Sequence, residues 1–433
     1  MNKQILLVRG ARQVGKTSFI LDALKELKDK PQIHVNFNYP SSFKIDGIEY
    51  FGRDFFGRSP QGETFIQNLD LQLKNSQPPA IVFIDEADRY PLAIESIQTL
   101  AEFTDRFKII MTGSNLENIV VKNAATGRKQ GFDLYPFTFK EFLSAAGHDK
   151  EIEYLKNIDP SHHLSNTYMH DKLTLLVTTY IKLGGMPRIL DAFFDPSSQA
   201  QGIDQLIIDL TQTIEENVKT VLGEKQQLYE YQDVLRRLAL SSLDTLKYTH
   251  LQVQHAGRGE AKKLVHKTVG ARVSHKIRLF NDEKDNSKFI LFDSGIVNYL
   301  LLGSRLLHNE PDDRKKAILY ETYVGNELIS VLPGRDDLMY WKSSNKAELE
   351  FTFNHKLTVG IDVKATDRRS QSLDSFAVMN KQNVFLVKIS NSEPKYIPDY
   401  EAKTAYHSNN KKTRLLTIPH YMTFCILDLL EKI

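Results

Sequence analysis

The chain carries one cysteine, Cys425, in 433 residues. A single thiol excludes an internal disulfide framework and a cysteine-based zinc cluster within one chain. Charge of one sign is also scarce: Lys and Arg number 56 and Asp and Glu 54, leaving a formal net charge of +2. Any nucleic-acid contact must then come from a local basic patch rather than an overall field. No uninterrupted apolar stretch approaches the ~18 residues of a membrane helix, so no membrane span is expected. Met1-Asn2-Lys3-Gln4 leads straight into an apolar run, which leaves no room for a signal peptide, and the expected location is cytoplasmic. The 13 histidines include no H-x-x-x-H pair within a helical pattern. The adjacent His162 and His163 point in different directions on a helix or a strand, so none is assigned to a metal.

What the chain does contain is an ordinary globular balance, with 41% hydrophobic and 25% charged residues. Its length exceeds one ordinary core and predicts two to four domains. Near the N-terminus, Gly10-Ala11-Arg12-Gln13-Val14-Gly15-Lys16-Thr17 fits G-x-x-x-x-G-K-[ST], directly after the strand-forming run Ile5-Leu6-Leu7-Val8. The glycines let the backbone curl until its N–H groups face a ligand's phosphates. Lys16 is then set to reach the β- and γ-phosphates, and Thr17 to put a hydroxyl on Mg²⁺. Ser18 follows at the start of a helix whose positive end aims at the same phosphates. Residues 10–18 are the expected binding loop for a nucleoside triphosphate, taken to be ATP with Mg²⁺.

Such a loop needs a partner strand that ends in acid. Ile81-Val82-Phe83-Ile84-Asp85-Glu86 supplies it, its four apolar residues reading as a strand buried on both faces. Asp85 is expected in the Mg²⁺ shell, and Glu86 as the group that orients and polarises the attacking water. Lys108-Ile109-Ile110-Met111-Thr112-Gly113-Ser114-Asn115 reads as another buried strand ending in small polar groups. In ATPases with an extra strand between the two catalytic ones, that position carries a γ-phosphate sensor, a role open here to Asn115 or Ser114. Arg128, on a short loop before the strand Phe132-Asp133-Leu134-Tyr135, is a candidate finger acting in a neighbouring copy's site, which implies a homo-oligomer. An ordinary surface arginine is the alternative. Thr138-Phe139-Lys140-Glu141 reads as a capping box that opens the helix closing this domain.

The Ala-Arg-Gln-Val interior of the loop, Ile84-Asp85-Glu86-Ala87, Met111-Thr112-Gly113-Ser114 and Leu134-Tyr135-Pro136-Phe137-Thr138-Phe139-Lys140-Glu141-Phe142 together resemble prokaryotic AAA-type ATPases, and the likeness extends over nearly the whole chain. The resemblance implies ATP hydrolysis at the residues above, followed by a C-terminal domain of unknown function that is similar to PD-(D/E)XK nucleases.

From about Glu151 to Glu216 the pattern is mostly helical, broken at Leu183-Gly184-Gly185-Met186-Pro187. A similar Gly-Gly-x-Pro element follows the ATPase core in that family, which implies a lid or connector that senses the nucleotide. Leu228 to Leu302 reads as helices followed by strands, the order of a small winged-helix domain. Within it Arg258, Lys262, Lys263, Lys267, Arg272, Lys276 and Arg278 face only Glu260 as a local acid. Such a strip suits salt-sensitive, sequence-independent DNA binding; a plain solvated face is the alternative. Few aromatics interleave with it, which argues against single-strand stacking platforms.

Farther on, Leu338-Met339-Tyr340-Trp341, Ala347 to Phe353, and Val359 to Lys364 read as three strands. Period-two geometry pairs Glu348 with Glu350, and Asp362 with Lys364, each pair on one sheet face. Leu349, Phe351, Ile361 and Val363 are expected on the opposite face as core. Carboxylates converging from adjacent strands suit Mg²⁺, which makes Glu350 and Asp362 candidate metal ligands. Lys364 is a candidate to orient a water for attack on a phosphodiester. The resemblance matches this to the E…(D/E)…DxK arrangement, with Glu321, on an expected helix Ile318–Leu332, as the outer carboxylate and Glu350 where Asp is usual. An active nuclease, an inactive DNA-binding descendant and a purely structural domain all stay open.

The expected fold is α/β throughout. It comprises a P-loop AAA-like parallel-sheet ATPase domain (1–145), a helical lid or connector (146–222), a winged-helix-like domain (223–310) and a restriction-endonuclease-like α/β domain (311–433). The expected function is ATP hydrolysis coupled to DNA binding or metal-dependent DNA cleavage. The alternative is a nucleotide-dependent switch or scaffold that binds a protein partner or DNA without cutting it.

Overall fold

The computed structural model describes the chain except for residues 1–4, 38–42, 46–47, 52–66, 70, 72–78, 90–100, 102–104, 117–128, 163–164, 196–201, 223–227, 242–244, 247, 249–250, 252–257, 281–285, 345–346, 365–369 and 405–406. It forms two compact units. One comprises Met1–Tyr135, Asn217–Glu224 and Lys263–Val273; the other comprises Pro136–Glu216, Lys225–Lys262 and Ser274–Ile433.

In the first unit, β1 (Ile5–Arg9) leads through the glycine loop into α1 (Lys16–Lys25). β2 (Gln32–Asn36), β3 (Phe43–Ile45), β4 (Ile48–Phe51), β5 (Ala80–Asp85), β6 (Phe107–Gly113) and β7 (Lys129–Asp133) follow. They form one seven-stranded sheet, β3-β4-β2-β5-β6-β1-β7, parallel except for the β3–β4 pair. All six residues of β5 are buried, as a strand covered on both faces requires. Its side chains alternate between two cores. Val82 and Ile84 join Ile33, Val35, Ile109 and Met111, while Ile81 and Phe83 join Val8, Ile20 and Leu24. β6 lies between β5 and β1, so the loop after β1 opens beside the carboxyl ends of β6 and β5. Open parallel sheets bind ligands at that end.

The second unit opens with the capping box: Thr138 accepts from the Glu141 N–H, and the Glu141 carboxylate takes the Thr138 N–H at 2.7 Å. The helices α2 (Phe139–Ala145), α3 (Asp149–Asn157), α4 (Thr167–Leu183), α5 (Pro187–Phe194), α6 (Ile203–Leu222), α7 (Leu228–Leu240) and α8 (Arg258–Gly270) follow in the chain, α6 from Asn217 and α8 from Lys263 belonging to the first unit. Gly184, at φ 77°, ends α4, and Pro187 starts α5 as its first residue, so the Gly-Gly-x-Pro element is a helix break.

Next come β8 (Ser274–Leu279), β9 (Ser287–Leu291), α9 (Ser294–Leu302), α10 (Asp313–Val331), β10 (Met339–Lys342), β11 (Glu348–Asn354) and β12 (Thr358–Val363). The chain ends with α11 (Gln371–Met379), β13 (Val384–Ser390), β14 (Lys395–Thr404), β15 (His407–Pro419) and α12 (Ile426–Lys432). These strands make one mixed eight-stranded sheet, β14-β15-β13-β12-β11-β10-β8-β9.

Two expectations are corrected here. The strands expected as the wing of a separate winged-helix domain are β8 and β9, and β8 pairs in parallel with β10, so both belong to the large sheet. Every residue of β9 is buried, as the apolar run Phe289-Ile290-Leu291 requires. The second correction concerns period two in β11. Between Met339 and Trp341 β10 advances two residues, whereas their partners Thr352 and Leu349 are three apart. β11 therefore holds one extra residue, a β-bulge around Glu350. Leu349 packs with Trp341, Leu373 and Phe376, whereas Phe351 reaches Gly325 of α10. The two do not share one core face, because the bulge turns the alternation over.

Candidate functional sites

Gln13 (φ 64°) and Gly15 (φ 91°) take left-handed backbone and fold the loop between β1 and α1. At Gly10 any side chain would strike the Leu134 carbonyl, and the Leu134 N–H donates to Arg9 O at 2.7 Å, so the loop's first residue lies flat against the end of β7. Lys16 is buried, with Nζ donating to the carbonyls of Gly10 (3.1 Å) and Ala11 (2.8 Å). Burial pushes its ammonium below the ordinary value, against the opposing pull of Glu86, Asp88 and Asp85.

Thr17 Oγ1 donates to both oxygens of Asp85, at 3.1 and 2.9 Å. Asp85 also accepts from Thr112 Oγ1, from Asn36 Nδ2 at 3.1 Å and from the Glu86 N–H at 3.1 Å. His34 Nε2 lies 3.7 Å away. Burial works to raise this carboxyl, but His34 and the hydroxyls of Thr112 and Thr17 outweigh it and hold it below the usual range. A fixed carboxylate beside a threonine hydroxyl, next to a buried ammonium and a glycine-bearing loop at a helix start, is a donor set that fits ATP with Mg²⁺. Lys16 and the loop would hold the phosphates, and Thr17 with Asp85 the metal's shell.

Glu86 takes φ 52°, a left-handed conformation rare for its type, and such strain clusters at functional sites. Burial, then Asp88 and Asp85, raise its carboxyl above the ordinary value, while Lys16 and Arg89 oppose them. Ser114 and Asn115 both attach to Asp88: the Ser114 hydroxyl donates to Oδ2 at 3.3 Å and the Asn115 N–H to the same atom at 3.1 Å. Gly113 makes space for this, since a Cβ there would sit 2.5 Å from Asp88 Oδ1. Asp88, Thr112 and Asn36 escaped the sequence reading. The Asp85-Glu86-Ala87-Asp88 spacing was the available signal for the first, because one helical turn brings residues three apart to the same side. Arg128 lies outside the described residues.

In the second unit, acids and lysines meet around the bulge. The Glu350 carboxylate accepts the Val363 N–H at 3.1 Å. Lys364 Nζ stands 2.8 Å from Asp362 Oδ1 and 3.8 Å from Glu350 Oε1. Burial, then Asp362, push Glu350 up to about 8. Glu321, buried on α10, is raised well above the ordinary value by burial and by Glu350. For Lys364, burial acts downward, but Glu350 and Asp362 prevail and raise it. Glu348 is paired with Lys288 and, at 2.7 Å, with Lys342, and Lys288 sits over the Tyr340 ring at 5.2 Å. Neither lysine partner was foreseen. Among the described residues no group of three or more His, Cys, Asp or Glu side chains is placed to hold a metal ion. With Lys364 against Asp362 and Glu350 turned to a backbone N–H, these acids do not fit a divalent cation as they stand.

The basic strip also changes. Arg272, at φ 61°, is buried with Nη2 on Asp133 Oδ1 at 3.0 Å, and Arg9 Nε holds the same carboxylate at 2.8 Å. Its charge is consumed inside the first unit, which removes it from the expected DNA-contact set. Arg278 donates to the Asp336 carbonyl at 3.2 Å, and Lys263 is exposed. Lys263 and Lys267 belong to the first unit, and Arg258, Lys262, Lys276 and Arg278 to the second.

A parallel α/β sheet with a glycine-rich loop, a loop lysine and an acid-ended neighbouring strand defines a P-loop nucleotide-binding domain. Residues 2–143 match the family described as an AAA domain, in keeping with the parallel sheet and glycine-rich loop of this segment. Among solved structures the chain aligns with the S. cerevisiae Hsp104-ADP complex at 13% identity, covering 62% of this chain and 36% of that one, with a TM-score of 0.28. It also aligns with Drosophila ORC bound to DNA at 13% identity, covering 66% of this chain and 86% of that one, with a TM-score of 0.24. No curated protein matches the chain. No described helix is long and apolar enough to cross a membrane.

Proposed function

We propose that the chain is an ATP hydrolase whose nucleotide state governs DNA binding. The observation that carries the first half is the Thr17–Asp85 pair at 2.9 Å, which sets a hydroxyl and an ionised carboxylate together beside Lys16. In this reading the bound Mg²⁺ neutralises phosphate charge. Lys16 binds the phosphates, Thr17 and Asp85 hold the metal's shell, and Glu86 accepts a hydrogen bond from the attacking water and orients it. Ser114 and Asn115, tied to Asp88, supply polar groups on the γ-phosphate side. Arg128 as a neighbour's finger belongs to the same proposal, and it predicts ATPase activity per protomer that rises with protein concentration.

Support for the DNA half comes from Lys263, which is exposed on α8. A second reading, in which this acid–lysine cluster cuts phosphodiesters with Mg²⁺, is favoured by the convergence of Glu350, Asp362 and Lys364 with Glu321. It requires Lys364 to leave Asp362 when metal enters. The deciding experiment incubates supercoiled, linear and single-stranded DNA with wild-type protein and with Lys364→Ala, in Mg²⁺ or Mn²⁺, with and without ATP. DNA retained but uncut by wild type is the expected result. Cleavage that Lys364→Ala abolishes would replace it with the nuclease reading. Neither binding nor cutting in any nucleotide state would leave a switch acting on a protein partner.

A further inference from the structure

Two phenylalanines of the first unit stand in solvent. Phe19 is 45% exposed and Phe132 is 44% exposed. Their rings stack on each other, with centroids 5.7 Å apart and planes 5° from parallel. Both are tied to the phosphate loop. Phe19 is the third residue after Lys16 on α1, about 4.5 Å along the helix axis from it. Phe132 pairs in register with Val8 of β1, two residues before Gly10. The adjoining residues are occupied: Ile20 and Val8 are buried, and Asp133 is held by two arginines. The stacked pair is thus a flat apolar surface about one helical turn from the phosphate loop.

We infer that Phe19 and Phe132 form the platform on which the base of the bound nucleotide stacks. The inference rests on the nucleotide-binding reading above and deepens it by assigning the end of the ligand that the loop does not touch. A base is the occupant that this position favours, because its distance from the loop is fixed by the ribose and the phosphates the loop takes. Its flat π-face extends the stack on the outer face of the ring pair. Phenyl rings offer no hydrogen-bonding group, so this platform reads the face of a base and not its edge.

Titration calorimetry with Mg²⁺ separates the base from the phosphates when ATP and inorganic tripolyphosphate are each titrated into the full chain. Wild type is expected to bind ATP more tightly than tripolyphosphate. Phe19→Ala and Phe132→Leu should each weaken ATP by about tenfold, within the range that base–aromatic stacking spans, and leave tripolyphosphate unchanged. Phe132→Trp should keep the wild-type preference, because it restores a stacking ring. Unchanged ATP affinity in the alanine and leucine variants, or an equal loss for both ligands, overturns the platform while leaving the phosphate loop intact. Binding of neither ligand by wild type would overturn the nucleotide reading itself.

Discussion

Replacing Asp88 should slow hydrolysis without weakening nucleotide binding. Its carboxylate receives the Ser114 hydroxyl at 3.3 Å and the Asn115 N–H at 3.1 Å, and it lies one turn beyond Asp85. It is therefore the link between the acid end of β5 and the polar end of β6. A hydrogen bond to a charged group contributes about 1.5–3 kcal/mol, and a neutral one about 1 kcal/mol. Asp88→Ala removes both bonds, and a loss of about 2 kcal/mol in the transition state would lower kcat about 30-fold. Asp88→Asn keeps an acceptor oxygen without the charge, for a loss of about 1 kcal/mol and a fall of about fivefold. Binding should hold, because Lys16 is anchored by the carbonyls of Gly10 and Ala11 and not by Asp88. Steady-state ATPase kinetics and a direct nucleotide Kd separate the two quantities. A kcat within twofold of wild type in Asp88→Ala, or a Kd that rises as much as kcat falls, would refute the reasoning.

Glu86 must be ionised to orient water, and its carboxyl is raised, so hydrolysis should fall on the acid side at a pH above the ordinary glutamate value. A pH–rate profile checks this, and Glu86→Gln should abolish turnover while retaining nucleotide. Glu327, buried with Oε1 on the Phe139 N–H at 2.8 Å, is raised by burial from 4.5 to about 8. The folded state then holds this proton more tightly than the unfolded one. Its contribution to stability is full below pH 4.5 and is lost as pH rises towards about 8, a change of a few kcal/mol. Glu327→Gln should flatten the pH dependence of the denaturation midpoint between these limits; equal slopes for both proteins would contradict it. At Gly360 a Cβ would sit 2.5 Å from the Phe376 ring and 2.8 Å from Leu349, so Gly360→Ala should destabilise the second unit by about 1–3 kcal/mol in thermal unfolding.

What could be read from the sequence was local. The phosphate loop, the all-apolar β5, the Thr138–Glu141 box and the Gly184-Gly185 break each depend on residues a few positions apart, where backbone preference and period decide the outcome. The extra strand between β1 and β5 was also legible, because Lys108 to Asn115 carries the same apolar signature. Pairing partners were not. The bulge at Glu350 exists only relative to β10, and nothing within Glu348 to Phe353 announces it. β8 and β9 look like a free hairpin until β10 arrives from some 60 residues later. Arg272 looks like part of a basic face because its partner Asp133 lies 139 positions away. Lys288 and Lys342 went unread for the same reason: the charge that neutralises Glu348 comes from other strands. Asp88 was within reach, but a carboxylate just past a strand end has no distinctive pattern until Ser114 and Asn115 close on it.

The most direct test of the account is ATP turnover by the full chain, measured as phosphate release in Mg²⁺ for wild type and for Lys16→Ala. The loop geometry predicts measurable hydrolysis by wild type and none by the variant, with the variant's fold unchanged by circular dichroism. Turnover that survives in Lys16→Ala, or a wild type that neither binds nor hydrolyses ATP, would contradict it.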